Sequence, residues 1–477
     1  MDIIKKNICG IIVFILWIIV TFITGLNHEP WADEAQAWLI SRDNTFYNLI
    51  FSNVLNYEGH PALWYFIERI FILLGFPYKY LFVLPFILTA IGMYLFIFKS
   101  KFPTFIKLVF PFTFYVLYLY PVIARSHTLL FPVIAMIAVV YKERLSKPFI
   151  YGFLLFLLMN ISAHCYVIAG ILFLSLIFDI IKNNKNSNII NKSHILSLAL
   201  LVFGFIFTLC CVLPSPADLV RMVRVHIPNN FLLSLLEPLM TGFFRTEFND
   251  LLTYLKSGII IILYTLAFFG FCKTRQQKVL FIAIPFMQLI IMSQIYYMYW
   301  HSGYIIILLL FVLWIILEEN EPIELFNKVQ KAFYILFSLL LVLQMYYGIK
   351  TVIHDIKYSY CGSKSAAEFI KEKHLENYAI DGIGFKSMAL QPYFKENIYN
   401  NFKQSYWGWN RTNFYIQENT PKAVAPVIVI DFSEQQSFSE KEREKIIKEY
   451  NLYGFDGNMF IQGKIVERNA IIICVKK

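Results

Sequence analysis

The sequence predicts an all-α polytopic membrane protein of about eleven transmembrane helices, carrying a small α/β domain at its C-terminal end. Three observations lead there. Of 477 residues, 58% are hydrophobic and only 16% charged, against roughly a quarter charged in soluble domains. Apolar runs long enough to cross about 30 Å of hydrocarbon recur from residue 8 to residue 348. Beyond Thr351 the composition becomes that of a water-soluble domain.

The first run, 8–26, follows Lys5 and Lys6 and ends without a small-residue cleavage signature, so it reads as a retained anchor. Further candidates are 61–76, 79–98, 105–122, 127–141, 148–163, 165–181, 194–213, 257–272, 279–299, 302–318 and 331–348. The formal charge of +10 sits in short basic clusters between these runs. That is the pattern of cytoplasmic loops, and nucleic acid is not an expected partner. The clusters are Lys5/Lys6, Lys99/Lys101/Lys107, Lys142/Arg144/Lys147, Lys182/Lys185/Lys192, Lys273/Arg275/Lys278 and Lys328/Lys331.

Neighbouring cytoplasmic clusters must be joined by an even number of crossings. Only the first pair breaks the rule, with three candidates between Lys6 and Lys99. The weakest is 61–76, which begins at Pro61, carries Glu68-Arg69 at its centre and ends at Gly75-Phe76-Pro77. It is expected to lie along the outer interface as an amphipathic segment. Eleven spans remain, with the N-terminus cytoplasmic and the C-terminal domain extracytoplasmic.

The first external loop then runs over 27–78, with room for one helix through Asp33 and another after Pro61. A second large external loop covers 214–256 and carries Arg221, Arg224, Arg245 and Glu247. The transmembrane domain is set at 1–350 and the outer domain at 351–477. Within the latter, 366–373 and 439–450 read as helices, and 378–381, 427–431 and 470–475 as strands. Such alternation favours an α/β arrangement. The seven cysteines are scattered, mostly in apolar runs, without ligand or framework spacing, and read as inert.

The polar residues of the expected outer side converge on a chemistry. Asp33, Glu34, Asp43 and Glu58 supply carboxylates, Arg42 and Arg125 guanidinium groups, and His28, His60, His127, His164 and His301 imidazoles. Trp31, Trp38, Trp64, Trp300, Trp407 and Trp409 offer sugar-stacking faces. Each has a plainer reading, as aromatic belt, helix-end histidine or solvated helix start. Arg125 is the exception, because it sits between two spans with almost no loop in which to be solvated. An anionic partner explains it better. Glycosyl transfer from a lipid phosphate needs a carboxylate to take the acceptor proton, cations to stabilise the departing phosphate, and a groove at the membrane surface. Asp33, Arg125 with the loop arginines, and the 61–76 segment would supply these in turn.

Five stretches carry a family resemblance: Trp31-Ala-Asp33-Glu34-Ala, Glu58-Gly-His60-Pro61-Ala-Leu-Trp64-Tyr65, Arg125-Ser-His127, Ala163-His164, and Tyr299-Trp300-His301-Ser-Gly303-Tyr304. With the span count they resemble the GT-C superfamily of polyprenyl-phosphate-sugar-dependent glycosyltransferases, in its protein O-mannosyltransferase and aminoarabinose-transferase branch. The resemblance implies a polyprenyl-phosphate-sugar donor and a glycan, lipid or protein acceptor, with inversion at the sugar. It makes Asp33 catalytic and Glu34 its partner. Arg42, Glu58, His60, Arg125, His127, His164, Arg221, Arg224 and His301 are expected to bind substrate or phosphate. A divalent metal is left open, because the loop between spans three and four has Arg125-Ser126-His127 where the oligosaccharyltransferase branch has an Asp-x-Asp motif.

Two rivals make different demands. A transporter or flippase of lipid-linked sugars would place ionisable residues mid-membrane or break its helices in repeats, and the spans are almost free of such charge. A non-catalytic scaffold would leave the outer polar residues apart in space. Lysine-, asparagine- and isoleucine-rich usage suggests an AT-rich genome and a bacterial cytoplasmic membrane.

Overall fold

The computed structural model describes residues 2–52, 54–56, 58–187, 192–212, 230–245, 249–294, 297–320, 326–407 and 425–477. Among the described residues nine helices are long and apolar enough to cross a membrane, as in a multi-pass membrane protein. They are Ile8–Asn27, Tyr78–Lys99, Ser126–Glu143, Cys165–Asn183, Lys192–Val212, Asp250–Phe271, Arg275–Gln294, Trp300–Glu319 and Lys328–Lys357. A tenth is counted if Thr104–Phe112 and Tyr115–Val122, bent by 59°, form one broken span. Pro148–Met159 is apolar but has only 12 residues, about 18 Å of helix. Trp300–Glu319 runs through the middle of the bundle, as expected of a helix apolar on every side.

The break at residue 113 has a local cause. Pro111 has no N–H to give to the helix ladder, and the chain resumes as a wide π-type turn over Tyr115–Leu119. Gly348 of the last span packs into this break. A Cβ there would stand 2.7 Å from the Phe112 carbonyl oxygen, so the close approach requires glycine.

Four helices open the chain: α1 (Asp2–Asn27), α2 (Ala32–Asp43), α3 (Phe46–Phe51) and α4 (Leu63–Leu73). The last of these falls within the 61–76 segment, and at 11 residues it is about 16 Å long, too short to cross. Its charged pair is turned onto α2. Ser41 donates to Glu68 at 2.9 Å, and Arg69 donates to the carbonyls of Ser41 at 3.0 Å and Arg42 at 3.3 Å. Arg69 thereby satisfies carbonyls that the end of α2 leaves open. Burial pushes the Glu68 carboxyl up to about 8, so it stays protonated at neutral pH.

The last span continues past the compositional shift at Thr351 to Lys357. Six strands follow: β1 (Ile380–Ile383), β2 (Val427–Asp431), β3 (Tyr450–Phe455), β4 (Asn458–Ile461), β5 (Lys464–Arg468) and β6 (Ile471–Lys476). Four form one sheet in the order β1-β2-β6-β3, with β1 and β2 parallel and the other neighbours antiparallel. Strands β4 and β5 form a separate hairpin. Helices Ser363–Glu372 and Glu440–Glu449 accompany the sheet. Leu39 of α2 belongs to the same apolar core as Ile370, Val427 and Ile471. The first-loop helices and the strand-bearing region therefore meet at one end of the bundle.

Candidate functional site

Asp33 and Glu34 occupy the first turn of α2, and consecutive helical positions point about 100° apart. The pair therefore splits. Glu34 turns inward, 1% exposed, and its carboxylate accepts from the Trp31 N–H at 3.2 Å and the Ala124 N–H at 2.7 Å. The first of these bonds ties the Glu34 side chain back to the N-cap residue of α2, the N3 half of a capping box. Glu34 also lies 3.1 Å from His28 Nε2, while His28 Nδ1 lies 3.0 Å from Asp355 of the last span. Burial opposes charge on this imidazole, but Asp355 and Glu34 outweigh it and push His28 up to about 10. Glu34 thus clamps together the end of α1, the start of α2, the 123–125 turn and the final span. Glu34 was expected as the partner of Asp33, positioning it or the acceptor, and its carboxylate is engaged in this clamp.

Asp33 points the other way, into a cleft it shares with Trp31, Arg125, His127 and Trp300 over an apolar floor of Leu119 and Ile123. Tyr360 and Ile461, from the strand-bearing region, complete the wall. Arg125 donates to the Asp33 carbonyl at 2.6 Å, and its other terminal nitrogen lies 3.6 Å from the Asp33 carboxylate. Burial raises the Asp33 carboxyl above the usual carboxylate range, and Arg125 pulls it part of the way back. Burial works against the charge on Arg125, yet the surrounding acids, Asp33 foremost, hold it above its ordinary value.

Two polar atoms beside this pair lack partners. Trp31 Nε1 and His127 Nε2 are buried and make no hydrogen bond among the described residues. Such a group costs about 1–3 kcal/mol when left unsatisfied; orphans next to an acid and a guanidinium suit a site that completes its bonding with a ligand. The Trp31 and Trp300 rings flank the opening, 5.9 Å apart and tilted by 59°. The cleft is tight, with about 10 Å³ of open volume, on the order of one water molecule.

Behind Arg125 lies a group of imidazoles. His60 Nδ1 is 2.8 Å from Ser126 Oγ. Burial, followed by the charges at Arg125, His127 and His164, holds His60 well below its ordinary value, so it is neutral. The His164 and His301 rings stack at 4.3 Å, and the Met298 N–H donates to His301 Nδ1 at 3.1 Å. Glu58 accepts from Gln36 at 2.8 Å and from the Tyr65 hydroxyl at 3.2 Å. Its carboxyl is raised by burial against the pull of Arg125.

Asp33, Glu58, His60, Arg125, His127, His164 and His301 thus come together from five separate stretches of chain. Arg42 does not join them. It pairs with Asp43 at 2.6 Å and donates to the Phe394 carbonyl at 2.9 Å, at the far end of α2. Arg221 and Arg224 lie outside the described residues. As for a divalent metal, the described residues contain no group of three or more His, Cys, Asp or Glu able to hold one. Sequence reasoning overlooked Lys386 and Glu467, an ion pair at 2.5 Å whose charges both act on Asp33. Nothing local in the sequence marks Lys386. The hairpin that carries Glu467 turns at Gln462-Gly463, a weaker sequence signal than Asn-Gly.

Compared with family models, curated proteins and solved structures, the chain matches none.

Proposed function

We propose that the protein is a membrane glycosyltransferase of GT-C type, moving a sugar from a polyprenyl-phosphate donor to a hydroxyl acceptor on the outer face of the membrane. The observation that carries this reading is the Asp33–Arg125 contact, 3.6 Å between carboxylate and guanidinium, in a cleft at one end of an apolar bundle. A base and a phosphate-binding cation stand side by side where a lipid-borne sugar could reach both.

Asp33 takes the acceptor proton while the acceptor oxygen forms its bond to the anomeric carbon. The bond from that carbon to the phosphate oxygen breaks, and its electron pair leaves with the polyprenyl phosphate. One displacement from the opposite face inverts the centre. Arg125 and the Trp31 Nε1–H face the developing phosphate charge, with His127 beside them. Trp31 and Trp300 flank the sugar. A carboxyl raised above its usual range suits a base working near neutral pH. Glu34 contributes by position, since its clamp fixes the turn that bears Asp33.

The topology that goes with this reading has eleven crossings. It counts the broken pair Thr104–Phe112 and Tyr115–Val122 as one span and the short Pro148–Met159 helix as another. The N-terminus is cytoplasmic, and the first loop and the strand-bearing domain face the cell envelope, in a bacterial cytoplasmic membrane. Mass spectrometry of surface glycans and glycolipids tests the function. A product missing from a deletion strain should stay missing with Asp33→Asn and return only with the wild-type protein; its presence with a correctly inserted Asp33→Asn protein would overturn the assignment.

A further inference from the structure

Opposite Asp33, the cleft is closed by hairpin β4–β5, which leaves the four-stranded sheet and enters the bundle tip first. Its turn residues, Gln462 and Gly463, have φ of 47° and 83°, the two positive values that a tight primed hairpin turn requires. Gln462 is buried and donates to the Tyr115 hydroxyl at 2.9 Å and the Thr241 carbonyl at 3.2 Å. Phe460 stacks on His354, rings 4.0 Å apart. Ile461, 4% exposed, belongs to the core of the bundle and forms the cleft wall shared with Asp33 and Arg125. At the base of the hairpin, Lys386 holds Glu467 at 2.5 Å and donates to the Arg468 carbonyl at 3.3 Å.

Small-molecule sites usually offer about 300–1,000 Å³, whereas this cleft offers about 10 Å³. Whatever reaches Asp33 must gain its room from a wall. The α2 wall is tied to the 123–125 turn through Glu34 and Arg125, and the Trp300–Glu319 helix is the most buried of the spans. A two-stranded ribbon, by contrast, is only marginally stable on its own. Its place is set by what it touches, at the tip through Gln462 and at the base through Lys386.

We infer that hairpin β4–β5 is the specificity element of the site: Ile461 sets the size of the group admitted beside Asp33, while Gln462 and the Lys386–Glu467 pair hold it there. The identity of that group, a sugar or its hydroxyl acceptor, rests on the glycosyltransferase reading. The placement of the wall does not.

The test uses the full-length protein in lipid nanodiscs, with a reporter cysteine at Trp300→Cys and, separately, at Asp33→Cys. None of the native cysteines lines the cleft, so the protein without a reporter supplies the background. Reaction rates are measured with a small and a bulky methanethiosulfonate reagent. Ile461→Ala should raise the bulky-to-small rate ratio about tenfold, the scale that one or two methylenes carry in a size-selecting pocket. Ile461→Trp should lower it, and Gln462→Ala should raise it. Ile465→Ala, at an exposed position of the same ribbon, should leave it unchanged. An unaltered ratio in Ile461→Ala at both reporters, with the melting temperature retained, overturns the inference. A changed ratio supports the wall even if no sugar transfer is found, in which case the glycosyltransferase reading alone fails.

Discussion

Arg125 holds Asp33 at two points, by its carbonyl oxygen at 2.6 Å and by its carboxylate at 3.6 Å. The backbone bond is the closer one, so the guanidinium stays fixed when the carboxylate changes its proton. The looser contact leaves the carboxylate free to turn toward an acceptor. A cation anchored in this way can serve a phosphate and a base at once.

Asp33→Asn keeps the shape and removes the base. Transfer should fall by about 10²–10⁴-fold, the usual worth of a general base, with membrane insertion intact. Initial rates with a lipid-linked donor in vesicles measure this.

Arg125→Ala should move the acidic limb of the kcat/KM profile to higher pH. The base acts when ionised, and Arg125 lowers the Asp33 carboxyl against the rise caused by burial. Without Arg125 the carboxyl rises further and ionises later in a titration. Arg125→Lys should restore part of the shift, because it returns the charge without the two-point grip.

His28 offers a stability test that needs no activity. Its folded value of about 10 lies above the ordinary 6.5, so the folded state binds its proton more tightly than the unfolded state does. The stabilisation is complete below about 6.5 and disappears as pH rises through about 10. Melting temperatures of the wild type should fall across that window. His28→Gln should lose the slope and, with Glu34 and Asp355 left facing each other, should cost about 3–5 kcal/mol at neutral pH.

Gly348→Ala should destabilise the protein by about 1–3 kcal/mol through overpacking, since the new methyl meets the Phe112 carbonyl oxygen at 2.7 Å. Gly170→Ala, with nothing within 4 Å of its Cβ position, is the matched control and should be neutral or slightly stabilising. Thermal unfolding in detergent compares the two.

Some of this was legible in the sequence. Against the eleven expected crossings, the described residues hold nine helices long and apolar enough to span, a tenth if the bent pair 104–122 is one, while 148–163 forms only a 12-residue helix. The segment with Glu68-Arg69 is a short helix, and its charges find partners on α2. Strands β1, β2 and β6 fall within two residues of the expected 378–381, 427–431 and 470–475. Strands β3, β4 and β5 were not foreseen, because YNLYGF lacks a clean alternation and Gln462-Gly463 is a weaker turn signal than Asn-Gly.

The site divides along the same line. Composition and basic clusters alone yielded the membrane class and gathered Asp33, Arg125, His164 and His301 on one side, because hydrocarbon imposes length and polarity on every segment in it. Which of two adjacent acids faces the cleft depends on helix phase and on distant partners: Ala124 for Glu34, and Asp355 for His28, 327 residues away. Arg42 went to Asp43 and Phe394 for the same reason. Sequence records which groups are available, but hydrogen bonds of a few ångströms between remote segments decide which are used up in holding the fold and which stay open to a ligand. Only the folded chain brings Ile461 and Lys386 to Asp33.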